Sequence, residues 1–338
     1  MSAAPLAPFL ERRPEGLHVP AFDAFLDPPG PVRRAILSHA HSDHAAPGHE
    51  EVWATAETIA LYRKRHPDWP GKARALAYGE ETSEGGVTLR LESAGHVLGS
   101  AQVWLGNGAK SLLYTGDFKR RPGWTCAPVR VARATTLLLE TTFGLPVFRF
   151  PPREELARRL GAACRDAIAQ GETPVLLAYA LGKAQEAAAV LTEDRIPTVL
   201  HGAAWKLLPE YAAAGISFPL SRPYETGLPA PGEALIVPPL CARTSVVQKV
   251  KKRRVIYLSG WAIREASRAE FDADVLLPFS DHADFDDLLS HVADVAPERV
   301  VTTHGFARDF ARILGARGLA AQALGDEGAE RGAEDAAP

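Results

Sequence analysis

Ser38 to His44 reads Ser-His-Ala-His-Ser-Asp-His and places His39, His41, Asp43 and His44 within six positions. Imidazole and carboxylate donors suit zinc, manganese or iron, whereas calcium takes oxygen ligands throughout. One rigid loop of this composition can offer two ligands to one ion and two to a second. The apolar run Ala35-Ile36-Leu37 predicts a strand leading into it. Side chains alternate along a strand, so His39 and His41 point the same way. A helix is expected to start near Asp43.

Further donors follow short apolar runs. His96 stands in Ser93-Ala-Gly-His96-Val-Leu-Gly-Ser100, where Gly95 and Gly99 let the backbone approach closely. Ser111 to Tyr114 runs into Thr115-Gly116-Asp117, and Asp117 could bridge two ions. Thr136 to Leu139 runs into Glu140-Thr141-Thr142-Phe143. Val275 to Leu277 leads to Phe279-Ser-Asp-His282, and Val300 to Thr303 leads to His304. Asp27, in Asp-Pro-Pro-Gly, has two readings: a turn aspartate, or a carboxylate that orients a ligating histidine from behind.

A strand followed by an acid or histidine, repeated along the chain, is the pattern of layered α/β proteins that carry function on the loops after their strands. Thr55 to Lys64 has helical spacing with Thr55 as N-cap. The middle of the chain alternates helix and strand: Arg153 to Gln170, Pro174 to Tyr179, Gly182 to Leu191, Thr198 to His201 and Ala204 to Ala214. The expected organisation is a core in two parts, residues 1–147 and 255–324, an inserted α/β domain over 148–254, and a disordered acidic tail over 325–338.

Of 338 residues 46% are hydrophobic, enough for a sizeable core, and the net charge is −3. A basic coat over the whole molecule is therefore excluded, and any cationic surface is local. The dense run Lys249, Lys251, Lys252, Arg253 and Arg254 is one such place. Gly182-Lys183 before a helix is another, weakly phosphate-like and without the rest of a Walker A loop. Lys183, Lys251, Lys252 and Arg253 are the phosphate-binding candidates. The three cysteines are scattered and odd in number, which argues against a disulfide framework and for a reducing compartment. No window approaches the ~20 apolar residues of a membrane helix, so a soluble cytoplasmic protein is expected.

The order His39-x-His41-x-Asp43-His44, His96, Asp117 resembles the metallo-β-lactamase superfamily. Glu140-Thr-Thr-Phe, His282 and His304 resemble the three further motifs of its β-CASP nuclease branch, which includes Artemis-type DNA repair nucleases, RNase J and the 3′-end-processing endonuclease of pre-mRNA. Leu-Ser-His-Ala-His-Ser-Asp-His, Ala-Gly-His-Val-Leu-Gly-Ser, Gly182-Lys183-Ala-Gln-Glu and Ser259-Gly-Trp-Ala look similar to bacterial DNA ligase-associated exonucleases. The resemblance runs from Asp27 to Gly305.

It implies an αββα sandwich with an inserted β-CASP domain and two divalent metal ions, zinc first and manganese as the alternative. One ion would take His39, His41 and His96, the other Asp43, His44 and His304, with Asp117 bridging and Asp27 behind the ligands. Asp43, Glu140 and His282 would be catalytic, His282 giving a proton to the leaving oxygen and Glu140 orienting it. Two such cations lower the pKa of a shared water towards neutrality. Three functions stay open at this point. The first is a DNA exonuclease in repair, associated with a DNA ligase and a helicase. The others are an RNA-processing nuclease, which His304 favours, and a small-molecule metallo-hydrolase. A non-catalytic scaffold is disfavoured, because every ligand position is filled.

Overall fold

The computed structural model describes residues 9–324. The tail expected over 325–338 lies outside them. The chain divides into two compact units. Among the described residues the first comprises 9–122, 126–148 and 282–324, and the second 123–125 and 149–281.

The first unit holds two sheets. One is built in chain order from Glu11–Arg13, Gly16–Val19, Ala24–Leu26, Arg34–Ile36, Glu51–Ala54 and Lys72–Ala75. The other runs, edge to edge, Ala320–Ala323, Arg299–Thr303, Thr136–Glu140, Ser111–Tyr114, Ala101–Gly106, Val87–Ser93 and Glu81–Glu84. Alternation along the strands explains the layering. Ile36, Leu112, Leu138 and Val301 enter one cluster shared by both sheets. Their neighbours Leu113, Leu137, Leu139 and Val300 point the other way, onto Leu288 and Val292 of the helix Phe285–Val295 and Phe310 of the helix Ala307–Ala316. Ala35 and Val52 pack against Ile59 and Tyr62 of the helix Ala56–Arg65 on the far side. The order helix, sheet, sheet, helix is therefore the expected αββα sandwich. Strands buried on both faces read as continuous apolar runs, which is what the sequence shows there.

The second unit is a parallel sheet, ordered Ser221–Pro223, Thr198–Leu200, Ala234–Val237, Thr173–Leu177, Arg253–Leu258 and Val275–Leu277. Leu176, Leu200, Ile236 and Ile256 face the helices Arg153–Ala169 and Lys183–Glu193. Val175, Leu177, Leu235 and Tyr257 face a separate cluster on the other side.

Three expectations are corrected. The inserted unit ends at Asp281 and not at Arg254, because Arg253–Leu258 pairs with Thr173–Leu177 and carries Val275–Leu277 on its other edge. The second part of the core accordingly begins at His282 and not at residue 255. No helix starts near Asp43: a single turn forms, with Ala45 N donating to His41 O at 2.8 Å. Pro47 and Gly48, at φ +89°, end it, and the helix forms at Ala56–Arg65 instead. Thr55 caps that helix as expected, accepting from Thr58 N at 3.2 Å. The helix expected over Ala204 to Ala214 is split into Gly202–Trp205 and Leu208–Ala213.

Candidate metal centre

Three neighbouring parallel strands of the first unit end at the same edge. Ser111–Tyr114 runs into Asp117, Thr136–Glu140 ends on Glu140, and Arg299–Thr303 runs into His304. Parallel pairing at ~4.8 Å spacing sets these three functional groups side by side. The facing sheet delivers Asp27 after Ala24–Leu26, and His39, His41 and His44 after Arg34–Ile36. His96 sits on the turn between Val87–Ser93 and Ala101–Gly106. This turn is closed by glycine: a Cβ on Gly95, at φ +76°, would stand 2.4 Å from the Lys119 carbonyl oxygen.

His39, His41, His96 and Asp117 bring four donor atoms within 4.8 Å of one another. His41 Nδ1 is 3.1 Å from His39 Nε2 and 3.1 Å from His96 Nε2. Asp117 Oδ2 lies 3.5 Å from His39 Nε2 and 3.8 Å from His96 Nε2. Ligands at 2.0–2.1 Å around a tetrahedral ion stand roughly 3.3 Å apart, so this spacing is that of a coordination shell. One shared proton cannot satisfy three converging imidazole nitrogens and a carboxylate. The donor set fits divalent metal ions.

A second group continues from Asp117. His44 Nε2 is 3.3 Å from Asp117 Oδ2 and 3.7 Å from Asp43 Oδ2. The His44 and His304 rings are 5.4 Å apart. His304 is exposed, at φ +55°, and its carbonyl accepts from Thr141 Oγ1 at 2.7 Å. Asp43, His44 and His304 border one cavity of about 340 Å3, which Arg12 and Arg13 also line.

Asp27 is buried behind Ser38, His44 and Tyr114. Its Oδ2 accepts from Ser38 Oγ at 2.5 Å, His44 Nδ1 at 2.9 Å and Tyr114 OH at 2.8 Å, and its Oδ1 accepts from Ser38 N at 2.7 Å. A carboxylate can only accept, so His44 carries its proton on Nδ1 and turns Nε2 to the centre. Ser38 Oγ also meets His39 Nδ1 at 2.9 Å. Ser38 and Tyr114 were missed in the sequence. The only signal was position, one residue before His39 and one before Thr115-Gly-Asp117.

The electrostatics agree with a site for cations. Burial, together with His44, holds His39 well below the usual imidazole range, so it is neutral. Burial opposes charge on Asp117, but His44 and His282 outweigh it and keep the carboxylate ionised well below its usual range. Burial would also neutralise His44, and there Asp117 and Asp27 win and raise it.

Glu140 and His282 form a separate buried pair, with Oε1 3.0 Å from Nδ1. Glu140 Oε2 accepts from Thr142 N at 2.9 Å, and its own N–H donates to Thr115 Oγ1 at 3.1 Å. The His282 ring lies 4.7 Å from that of His96, and Asp117, Glu140 and His282 have donor atoms within 4.8 Å of one another. The pair thus borders the four-donor cluster.

The phosphate-binding candidates divide. Lys183 is 1% exposed, with Nζ 3.1 Å from Asp281 Oδ1 and 4.6 Å from the Tyr179 ring centre. It is a buried, neutralised cation and not a surface one, because it opens a helix whose first turn is packed inside the second unit. Arg253 donates to Val250 O and to Gln248 Oε1, each at 3.0 Å, and is folded onto its own turn. Lys251 and Lys252 are exposed and, with Lys249, border a cavity of about 260 Å3. They lie at the N-terminal ends of the parallel strands, whereas Lys183 follows a C-terminal end. About 15 Å of strand separates the two positions, so they form no single surface.

Residues 16–165 match the model of the metallo-β-lactamase superfamily. A protein described as a probable DNA ligase of Opitutus terrae is 40% identical over 316 residues, covering 92% of this chain and 31% of that protein. The transcription termination factor FttA of Pyrococcus horikoshii is 27% identical over 285 residues, covering 65% of this chain and 44% of that one. An RNase J-like protein of Methanocaldococcus jannaschii is 28% identical over 177 residues, covering 46% and 42%. The matches thus cover less than half the length of each of these relatives. A crystal structure of a protein of unknown function from Enterococcus faecalis V583 superposes with a TM-score of 0.59 over 80% of this chain and 75% of that one, at 16% identity, and so shares the fold. Its matched sequence, its sandwich and its histidine–aspartate cluster together give this chain a metallo-β-lactamase domain.

Proposed function

We propose that the chain is a binuclear metal-dependent phosphodiesterase of the β-CASP nuclease branch, acting on nucleic acid as a DNA exonuclease in repair. The observation that carries this reading is the Glu140–His282 pair beside the four-donor cluster. A metallo-hydrolase of small acyl substrates has no use for a second, buried acid–base pair at that place. The similarity of nearly the whole chain to part of a probable DNA ligase favours DNA and work beside a ligase; a helicase is a further proposed partner. Three free cysteines suit a reducing cytoplasm.

His39, His41 and His96 would hold one ion, Asp43, His44 and His304 the other, with Asp117 between them. Imidazole-rich ligation favours zinc, and manganese is the alternative. When bound, the ions supply an activated water and offset charge on the phosphoryl oxygens. Glu140 accepts the Nδ1 proton of His282 and fixes the ring. The Nε2 of the protonated ring then gives its proton to the leaving oxygen, a role worth about 10²–10⁴ in rate. Asp27 keeps His44 in the ligating tautomer.

The test is cleavage of labelled single-stranded DNA and RNA with either end blocked, with each metal in turn. DNA shortened from one free end supports the reading, and cleavage of RNA alone removes it. An RNA-processing nuclease is the second reading, favoured by similarity to an RNase J-like protein and to FttA and by His304 beside His44.

A further inference from the structure

The cavity that reaches Asp43, His44 and His304 has an opposite wall to which the nuclease reading gives no role. It comes from the hairpin Glu11–Arg13 and Gly16–Val19, at the edge of the first sheet. The register pairs Arg12 with Leu17 and Leu17 with Leu26, so these residues form one row across three strands. At ~4.8 Å between strands, Arg12 starts about 10 Å from the strand that runs into Asp27, within reach of an arginine side chain directed inward. The row is cationic outside, apolar in the middle and ends at the metal ligands.

Arg13 is matched by Glu11, at 2.8 Å. Arg12 is exposed, donates to the Leu324 carbonyl at 3.5 Å, and has no carboxylate partner among the described residues. Its fork of donors suits a phosphate, which it can bind through two hydrogen bonds at once. A cavity of about 340 Å3 is at the small end of ligand sites, room for one unpaired nucleotide and too narrow for a duplex.

We propose that this cavity is a subsite for the nucleotide next to the scissile phosphate. Arg12 binds that nucleotide's own phosphate, and Leu17 and Leu324 cover its sugar and base. The proposal rests on the nuclease reading for the position of the scissile phosphate. It adds a residue that selects polymeric substrate over an isolated phosphodiester.

The probe is adenosine 3′,5′-bisphosphate, which carries two phosphates one nucleotide apart, compared with the 3′- and 5′-monophosphates. Calorimetry on the full chain loaded with zinc or manganese measures all three affinities. The bisphosphate should bind the unaltered protein about 10- to 100-fold more tightly than either monophosphate. Arg12→Gln should remove that advantage and leave the monophosphates unchanged. Arg12→Lys, which keeps the charge without the fork, should fall between. An advantage that persists in Arg12→Gln, or an equal loss for all three ligands, overturns the proposal. Unaltered protein that cleaves no labelled strand, yet shows an Arg12-dependent advantage, removes the nuclease reading and leaves the two-phosphate subsite standing.

Discussion

Asp27→Asn separates the charge of the residue behind the metal ligands from its shape. Asp27 sits at φ +38°, a conformation that asparagine tolerates as well as aspartate, so the backbone is not strained by the change. Its side chain is 4% exposed and accepts four hydrogen bonds, three of them on Oδ2. Asparagine can keep the three by placing its carbonyl oxygen there. Its NH2 then faces the Ser38 N–H, leaving one buried donor unsatisfied at about 1–3 kcal/mol. Ala at the same place strands all four donors and should cost more, about 3–5 kcal/mol. Losing the carboxylate also weakens the hold on His44 Nδ1, and metal affinity should fall about 10- to 100-fold. The assays are urea denaturation of the metal-free protein and metal titration against a competing chelator. Asp27→Asn that folds normally and binds metal with unchanged affinity would refute the role given to Asp27.

His304→Ala should lower metal content and activity together, whereas His282→Ala should keep both ions and lose about 10²–10⁴-fold in rate. A substrate with a bridging sulfur at the leaving position needs no proton and should rescue His282→Ala alone; loss of a metal from His282→Ala would overturn the division. Burial lowers His49 to about 4 and, aided by Arg120, lowers His291 to about 3, both from an ordinary 6.5. Their neutral forms are favoured on folding, so stability is full above pH 6.5 and falls as the unfolded chain takes up protons below it. At pH 5 each should have cost about 2 kcal/mol, read as a lower urea midpoint that Phe or Leu at position 291 makes less steep with pH. Gly95→Ala, at φ +76° with its Cβ 2.4 Å from the Lys119 carbonyl oxygen, should cost about 2–4 kcal/mol and displace His96, visible as lost stability and weaker metal binding.

Donor types and their spacing announced the cluster His39, His41, His96 and Asp117 that the structure brings together, because imidazoles and carboxylates that could share an ion are local chemistry carried by two loops and a few strand ends. Runs such as Leu137-Leu138-Leu139 announced strands buried on both faces, since period-two alternation sends neighbours into different clusters. Only the tertiary structure decided what depended on distant partners. Arg254 lost its place as a boundary because strand pairing extends to Leu277. Lys183 lost its place on the surface because Asp281, 98 positions later in the chain, neutralises it inside the second unit. Asp27 gained its role from Ser38, His44 and Tyr114, which two sheets bring to one carboxylate. Arg12 carried no signal at all in the sequence, since a lone arginine is usually solvated. Cross-strand register, which no single segment encodes, is what puts it on the wall of the cavity.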